Sequence, residues 1–271
     1  MRIERVVKNL HYAEGPVWSY EGFLVFSDAP VDQLRKLTPG AGDVEMATRA
    51  GGAMGNAYDT DRRLYTCEFR QHRITRTGKN GKTDVIAARF EGKHLNGPND
   101  VIVRRDGQVY FTDPAFGNQQ DSRELDFYGV YHVTPKGEME AVARWKTRPN
   151  GITLSPNGRT LYVSDSDARL IRAYDLDGRG VATHERVVVE RIPGVPNGLR
   201  TDEKGNLYVA AKAIYIYAPA QNGPLKLLGE VPISETPSNL AFGDADMETL
   251  YITAQTSIFR VRLGVKGALQ Y

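Results

Sequence analysis

A short pattern recurs six times along this chain, and its spacing limits the architectures available. The copies are Glu14-Gly15-Pro16-Val17, Asn56-Ala57-Tyr58-Asp59, Asn99-Asp100-Val101-Ile102, Asn150-Gly151-Ile152-Thr153, Asn197-Gly198-Leu199-Arg200 and Ser238-Asn239-Leu240-Ala241. Each is followed by a turn rich in glycine or charge. A short apolar run comes next: Phe23-Leu24-Val25-Phe26, Leu64-Tyr65, Val109-Tyr110-Phe111, Leu161-Tyr162-Val163, Leu207-Tyr208-Val209 and Leu250-Tyr251-Ile252. The leading residues lie 42, 43, 51, 47 and 41 positions apart. The third unit reads as four strands, Val101 to Val103, Val109 to Thr112, Gly129 to Thr134 and Met139 to Trp145, joined by turns at Asp106-Gly107 and Pro135-Lys136-Gly137. No long stretch has a period of 3.6, so helix content is expected to be very low. Four strands per unit at a period in the forties is the signature of propeller blades.

The expected fold is therefore an all-β, six-bladed propeller occupying residues 1–271 as a single domain. The sixth unit, Leu240 to Leu263, has room for about three strands. The alternating run Ile3 to Val7 can supply the fourth and close the ring through both chain ends. The long third unit is explained by a polar insertion, Asn118 to Phe127, read as a loop on one face.

Composition narrows the function. The chain has 271 residues, 41% hydrophobic and 25% charged, with a net charge of +2. That length suffices for a large buried core. Lys and Arg are scattered, which argues against a nucleic-acid partner. No run is long enough to span a membrane. The single cysteine, Cys67, rules out an intrachain disulfide, and no Cys/His cluster has zinc-like spacing. Met1 to Leu10 is charged and lacks an apolar signal region, so a cytoplasmic protein is expected, as a monomer or weak homo-oligomer.

In a blade the first and second strands are antiparallel, so the start of one and the end of the other share a face. One mouth of the central channel is thereby expected to gather Glu14, Asn56, Asn99, Asn150, Asn197 and Ser238, with Asp28, Glu68, Asp113 and Asp165 nearby. One such Asn is an ordinary turn residue. Four at one repeat position, facing one axis, call for a shared partner. Amide oxygens and a carboxylate suit a hard cation, Ca²⁺ first, with Mg²⁺ or Mn²⁺ as alternatives. The lack of convergent His and Cys disfavours Zn²⁺. Such an ion can polarise a carbonyl or activate water, which leads to hydrolysis of an ester-like bond. His132 and His184 read as structural, and Trp18, Trp145 and the recurring Leu-Tyr pairs as core.

Several longer motifs add a resemblance. Ala13-Glu14-Gly15-Pro16-Val17-Trp18, Leu95-Asn96-Gly97-Pro98-Asn99-Asp100, Phe111-Thr112-Asp113-Pro114, Arg148-Pro149-Asn150-Gly151, Pro237-Ser238-Asn239-Leu240 and Thr256-Ser257-Ile258-Phe259-Arg260-Val261 resemble the senescence-marker-protein/gluconolactonase family, in its bacterial lactonase branch. The resemblance implies a six-bladed propeller, a divalent metal (usually calcium) and hydrolysis of sugar-acid lactones. It places the family's metal glutamate and asparagine on Glu14 and Asn150, puts Asn99 near the ion and the substrate, and puts the metal-binding acid/base position on Asn197. The expected metal set is thus Glu14, Asn99, Asn150 and Asn197, and the expected catalytic set Glu14, Asn197 and, as a substitute base, Asp113. Substrate contacts are expected from Asn56, Glu68, Phe69, Asn99 and Phe116. The family uses an aspartate, in a Pro-Asp-Gly motif, as metal ligand and acid/base. This chain has Pro196-Asn197-Gly198 there, which removes a charge and a base. Base duty would then pass to Glu14, Asp113, Asp165 or a water on the ion. A phosphotriester or fluorophosphate could be attacked at the same place. The alternative is a propeller whose catalysis is altered or lost, binding a metal or small molecule or acting on a non-lactone substrate.

Overall fold

Six antiparallel sheets of four strands follow one another round a ring, in a computed structural model that describes residues 2–41, 44–220 and 223–269. The innermost strands are Ala13–Trp18, Ala53–Tyr58, Val101–Val103, Pro149–Leu154, Leu199–Thr201 and Pro237–Gly243, and each touches its neighbours on both sides. They surround the central channel of a six-bladed β-propeller. Ile3–Val7 pairs with Ser257–Arg262, with Ile3 opposite Val261 and Glu4 opposite Arg260, so the first strand is the outermost strand of the sixth blade. The ends of the chain close the ring as expected.

The turns follow their residues. Gly107 and Gly158 close hairpins between inner and second strands at φ +85 and +65, which only glycine adopts freely. The recurring Leu-Tyr runs fill the space between blades. Tyr65, Phe111 and Tyr131 join Cys67, Ile74 and Val101 in one buried cluster, and Trp18 stacks on Tyr251 at 5.5 Å between ring centres. Helical structure among the described residues is limited to three 3-10 turns, Ala29–Val31, Phe69–Gln71 and Gly117–Gln120.

Two local features differ from expectation. The insertion after blade three's second strand is not simply a polar loop. It contains the 3-10 turn Gly117–Gln120, and Leu125 and Phe127 are buried in the core between blades two and three. A short hairpin, Arg89–Phe90 with Lys93–His94, also links those blades.

The register of the second unit differs as well. Blades one, two, four and six each carry an irregularity early in the inner strand. Pairing breaks between Glu14 and Val17, Ala53 and Asn56, Pro149 and Ile152, and Pro237 and Asn239. Such a bulge re-aims the residues within it. Ala13, Ala53, Pro149 and Pro237 are thus equivalent, and so are the residues after them: Glu14, Met54, Asn150 and Ser238. Gly55 N donates to Asn99 O at 2.7 Å and Gly198 N to Ser238 O at 2.9 Å, which ties the same layer together across blades. The repeat position in blade two is therefore Met54, and Asn56 lies two residues further along. A slip of two preserves strand alternation, so the hydrophobic pattern could not reveal it.

Hydroxyls on one strand fasten the inner strand of the next blade. Ser27 Oγ donates to Met54 O at 2.6 Å, Thr112 Oγ1 to Asn150 O at 2.6 Å and Ser164 Oγ to Asn197 O at 2.8 Å. Thr112 Oγ1 also accepts from Asp100 N. Thr112→Val keeps the shape and strands both backbone partners. It is expected to cost about 1–3 kcal/mol, measured by urea unfolding.

Candidate active site

The bulges of blades one, two, four and six bring Glu14, Met54, Asn150 and Ser238 into one layer at one mouth of the channel, and Asn99 and Asn197 join it from the segments just before the inner strands of blades three and five. Glu14 is the one carboxylate in it and is almost completely buried, at 3% exposure. Its Oε2 accepts from Gly15 N at 2.8 Å and from Asn239 Nδ2 at 3.2 Å. The Asn197 side chain also hydrogen-bonds the carboxylate, which opposes the effect of burial. Burial pushes the Glu14 pKa up to about 7, the Gly15 N–H opposes this, and the nearby Asp100 charge adds to it.

Asn150 has an unsatisfied group. Its Nδ2 donates to Ser166 Oγ at 3.1 Å, and Ser166 Oγ donates to Pro196 O at 2.9 Å. This chain fixes the amide orientation. Asn150 Oδ1 is buried and has no hydrogen-bond partner. A buried carbonyl oxygen left alone is costly, and a cation is one partner that would satisfy it. Asn99 is held in the same layer by its backbone, whose N–H donates to Thr112 O. Among the described residues no three His, Cys, Asp or Glu side chains gather as a metal site. The donors available to a cation here are amide oxygens and one carboxylate.

The other residues singled out from the sequence fall into two groups. Asn56 is fully buried, and its amide is spent on protein: Nδ2 donates to Gly15 O, Ser27 Oγ and Met54 O, and Oδ1 accepts from Thr66. It joins blades one and two. The acids ending the second strands are also internal ties. Asp113 accepts from Asn96 N at 2.8 Å and Gly97 N at 2.7 Å, and burial raises its pKa to about 7 against those bonds. Glu68 takes Arg73 and Thr75. Asp28 takes His11 N, Tyr12 N and Arg35, and Asp165 takes Thr147, Ala168 N and Arg172. Each holds a segment in place, and Asp113 holds the loop that leads to Asn99. His132 is enclosed by Glu140 and Gln108, and His184 is exposed beside Asp175, so neither is a base at the mouth.

Phe69 and Phe116 are half-buried, in and beside the 3-10 turns next to this loop. Gln119 bridges them: its Nε2 donates to Phe69 O at 3.1 Å, and its Oε1 accepts from Phe116 N at 3.3 Å. It packs over Gly97, where a Cβ would lie 2.8 Å from its amide. Arg70 stacks on Phe69 and Arg148 on Phe116, with Arg148 also paired to Asp167.

Three charged or polar residues deeper in the channel escaped the sequence reading. Asp100, Asn239 and Arg200 are each at least nine-tenths buried. Arg200 Nη1 lies 4.0 Å from Asp100 Oδ2. Burial raises the Asp100 pKa against the attraction of Arg200, and it lowers the Arg200 pKa against the attraction of Asp100 and Glu14. The signal was available, since all three lie within or just after the repeated motif, but only its first residue was weighed.

Comparison with known proteins gives the family. Residues 12–256 match the SMP-30/Gluconolactonase/LRE-like region. The chain belongs to the SMP-30/gluconolactonase family. Within that family it is 32% identical to the gluconolactonase of Zymomonas mobilis, over 98% of this chain and 82% of that protein. It is 25% identical to the pentonolactonase XacC of Haloferax volcanii, over 93% of this chain and 85% of that protein. Among solved structures, a gluconolactonase from Xanthomonas campestris superposes with a TM-score of 0.87 at 31% identity, covering 97% of this chain and 89% of that one. Among the described residues no helix is long and apolar enough to cross a membrane.

Proposed function

We propose that the chain hydrolyses a small sugar-acid lactone at this mouth, with a divalent cation held by Glu14, Asn150 and Asn197 and with Asn99 beside it. The protein is a lactonase. The observation that carries the cation assignment is the buried, unpartnered Asn150 Oδ1 in the same layer as a buried carboxylate. Ca²⁺ suits the all-oxygen donors best. When bound, the cation supplies Lewis acidity toward the lactone carbonyl and toward water. Glu14 is the ionisable group of the mouth layer, the position from which a general base can act. Water oxygen attacks the ring carbonyl carbon, Glu14 takes its proton, and the ring C–O bond breaks. Glu14 then returns that proton to the leaving alkoxide, which gives the open hydroxy acid. Asp113 and Asn96 fix the loop that carries Asn99. Phe69 and Phe116 give the rim two apolar faces on which a sugar ring can rest.

Proton release on a panel of aldonolactones, with and without Ca²⁺, tests the reading. Stimulation by the ion and saturation by at least one lactone are expected. Absence of turnover across the panel, with no ion bound, would end it.

Two further results are expected at the same ring. Below pH 7 a cation must displace a proton from Glu14, so its affinity should fall about tenfold per pH unit, with one proton released per ion. Calorimetry in buffers of different ionisation enthalpy measures that proton. Asn197→Asp adds a second negative ligand. A unit charge at about 4 Å is worth roughly 1–4 kcal/mol, so Ca²⁺ should bind at least about five times more tightly.

A further inference from the structure

Directly below the mouth lies a second layer, formed by Gly15, Gly55, Asp100, Gly151, Gly198 and Asn239. Four of the six blades offer no side chain there, and none would fit. A Cβ on Gly15 would lie 2.0 Å from Met54 O, and one on Gly151 2.2 Å from Asn197 O. A Cβ on Gly55 would lie 2.4 Å from Asp100 Oδ1, and one on Gly198 2.1 Å from Asn239 Oδ1. The glycines leave room for two side chains to reach across the channel, Asp100 from blade three and Asn239 from blade six.

Both are anchored by backbone. Asn239 Oδ1 accepts from Leu240 N at 2.8 Å. Asp100 accepts from Val101 N at 3.0 Å and from Ile152 N at 3.2 Å. With its oxygen fixed, the Asn239 amide can only present its NH2 to the channel, where it donates to Glu14 Oε2 and toward Asp100. Gly15 N takes the same Glu14 oxygen. Oε2 is therefore held by two donors from below, and the Asn197 side chain acts on the same carboxylate from the mouth layer.

We propose that Asn239 is a positioning residue for Glu14, bracing Oε2 from below so that Oε1 faces the bound cation. This rests on reading the mouth layer as the cation site. The glycines keep the layer clear, and Asp100 holds the second half of the Asn239 amide. Removal of such an outer partner of a metal ligand typically costs 10–100-fold in metal affinity.

The experiment titrates Mn²⁺ into ion-free protein by calorimetry. It compares wild type, Asn239→Leu, Asn239→Ser, Glu14→Gln and the doubles, and records the urea midpoint of each without metal. Both Asn239 variants are expected to bind Mn²⁺ 10–100-fold more weakly at unchanged stoichiometry. In the Glu14→Gln background neither should weaken binding further. The midpoint shifts without metal should be non-additive between positions 14 and 239. If Asn239→Leu fails to fold, Asn239→Ser carries the comparison. Undiminished Mn²⁺ affinity in a folded Asn239 variant overturns the proposal. If wild type binds no Mn²⁺, the cation reading fails by itself and the metal-free cycle decides: additive shifts overturn the positioning role, and non-additive shifts uphold it.

Discussion

Glu14→Gln is expected to lower lactone turnover about a thousandfold, within the range for loss of a general base, and to weaken Ca²⁺ binding with it. The substitution preserves shape and removes the one negative charge of the mouth layer. Calcium affinity falls with ligand charge, and an amide cannot take the proton of attacking water. The same change should stabilise the ion-free protein at alkaline pH. Burial raises the Glu14 pKa from 4.5 to about 7, so the folded state holds a proton that the unfolded state has released between those values. Carboxyl burial is therefore best tolerated below pH 4.5, and that contribution is lost as pH rises through 7. By linkage the difference amounts to roughly 3 kcal/mol above pH 7. Urea unfolding of both proteins at pH 5 and pH 8, in chelator, measures it, alongside proton release at saturating lactone. A variant less active yet more stable marks Glu14 as kept for chemistry. A variant within tenfold of wild-type turnover would remove Glu14 from the mechanism.

The fold was legible because a propeller repeats its instructions. Six Leu-Tyr-type runs, each preceded by a turn rich in glycine or charge, specify blade after blade, and the alternating Ile3–Val7 announces its own place at the outer edge. What one sequence could not supply was depth along the axis. Met54 and Asn56 differ by a single alternation step, and only the bulged pairing shows which one reaches the mouth. Asp113 and Asp165 end their strands on the right face, yet their oxygens turn inward to backbone N–H groups. A strand-end carboxylate has the same letter whether it faces solvent, a ligand or a neighbouring loop. Asp100 and Asn239 were overlooked for a related reason. Their four counterparts are glycines or follow a residue that draws attention, and the absence of side chains in a layer is visible only once the blades are superposed.

Arg200→Met is expected to destabilise the protein by about 3–5 kcal/mol, the usual cost of stripping one partner from a buried pair. Arg200 Nη1 donates to Leu199 O at 2.7 Å and faces Asp100, and Nη2 reaches Pro16 O at 3.4 Å across the channel. Methionine fills much of the same volume, so the cost comes from the charge left on Asp100 rather than from a void. Two consequences separate this from a packing defect. Asp100 already has a raised pKa through burial, and loss of the guanidinium raises it further, so the variant recovers stability as pH falls and Asp100 takes up a proton. Asp100→Asn combined with Arg200→Met should lie well below the sum of the single effects, because neither charge is then stranded. Urea midpoints of the four proteins at pH 5 and pH 8 decide it. Strict additivity with no pH dependence would mean that Arg200 acts through its stem and its carbonyl contacts alone. The expected coupling would mean instead that the channel floor carries a balanced pair, leaving Glu14 as the net charge that a divalent ion meets.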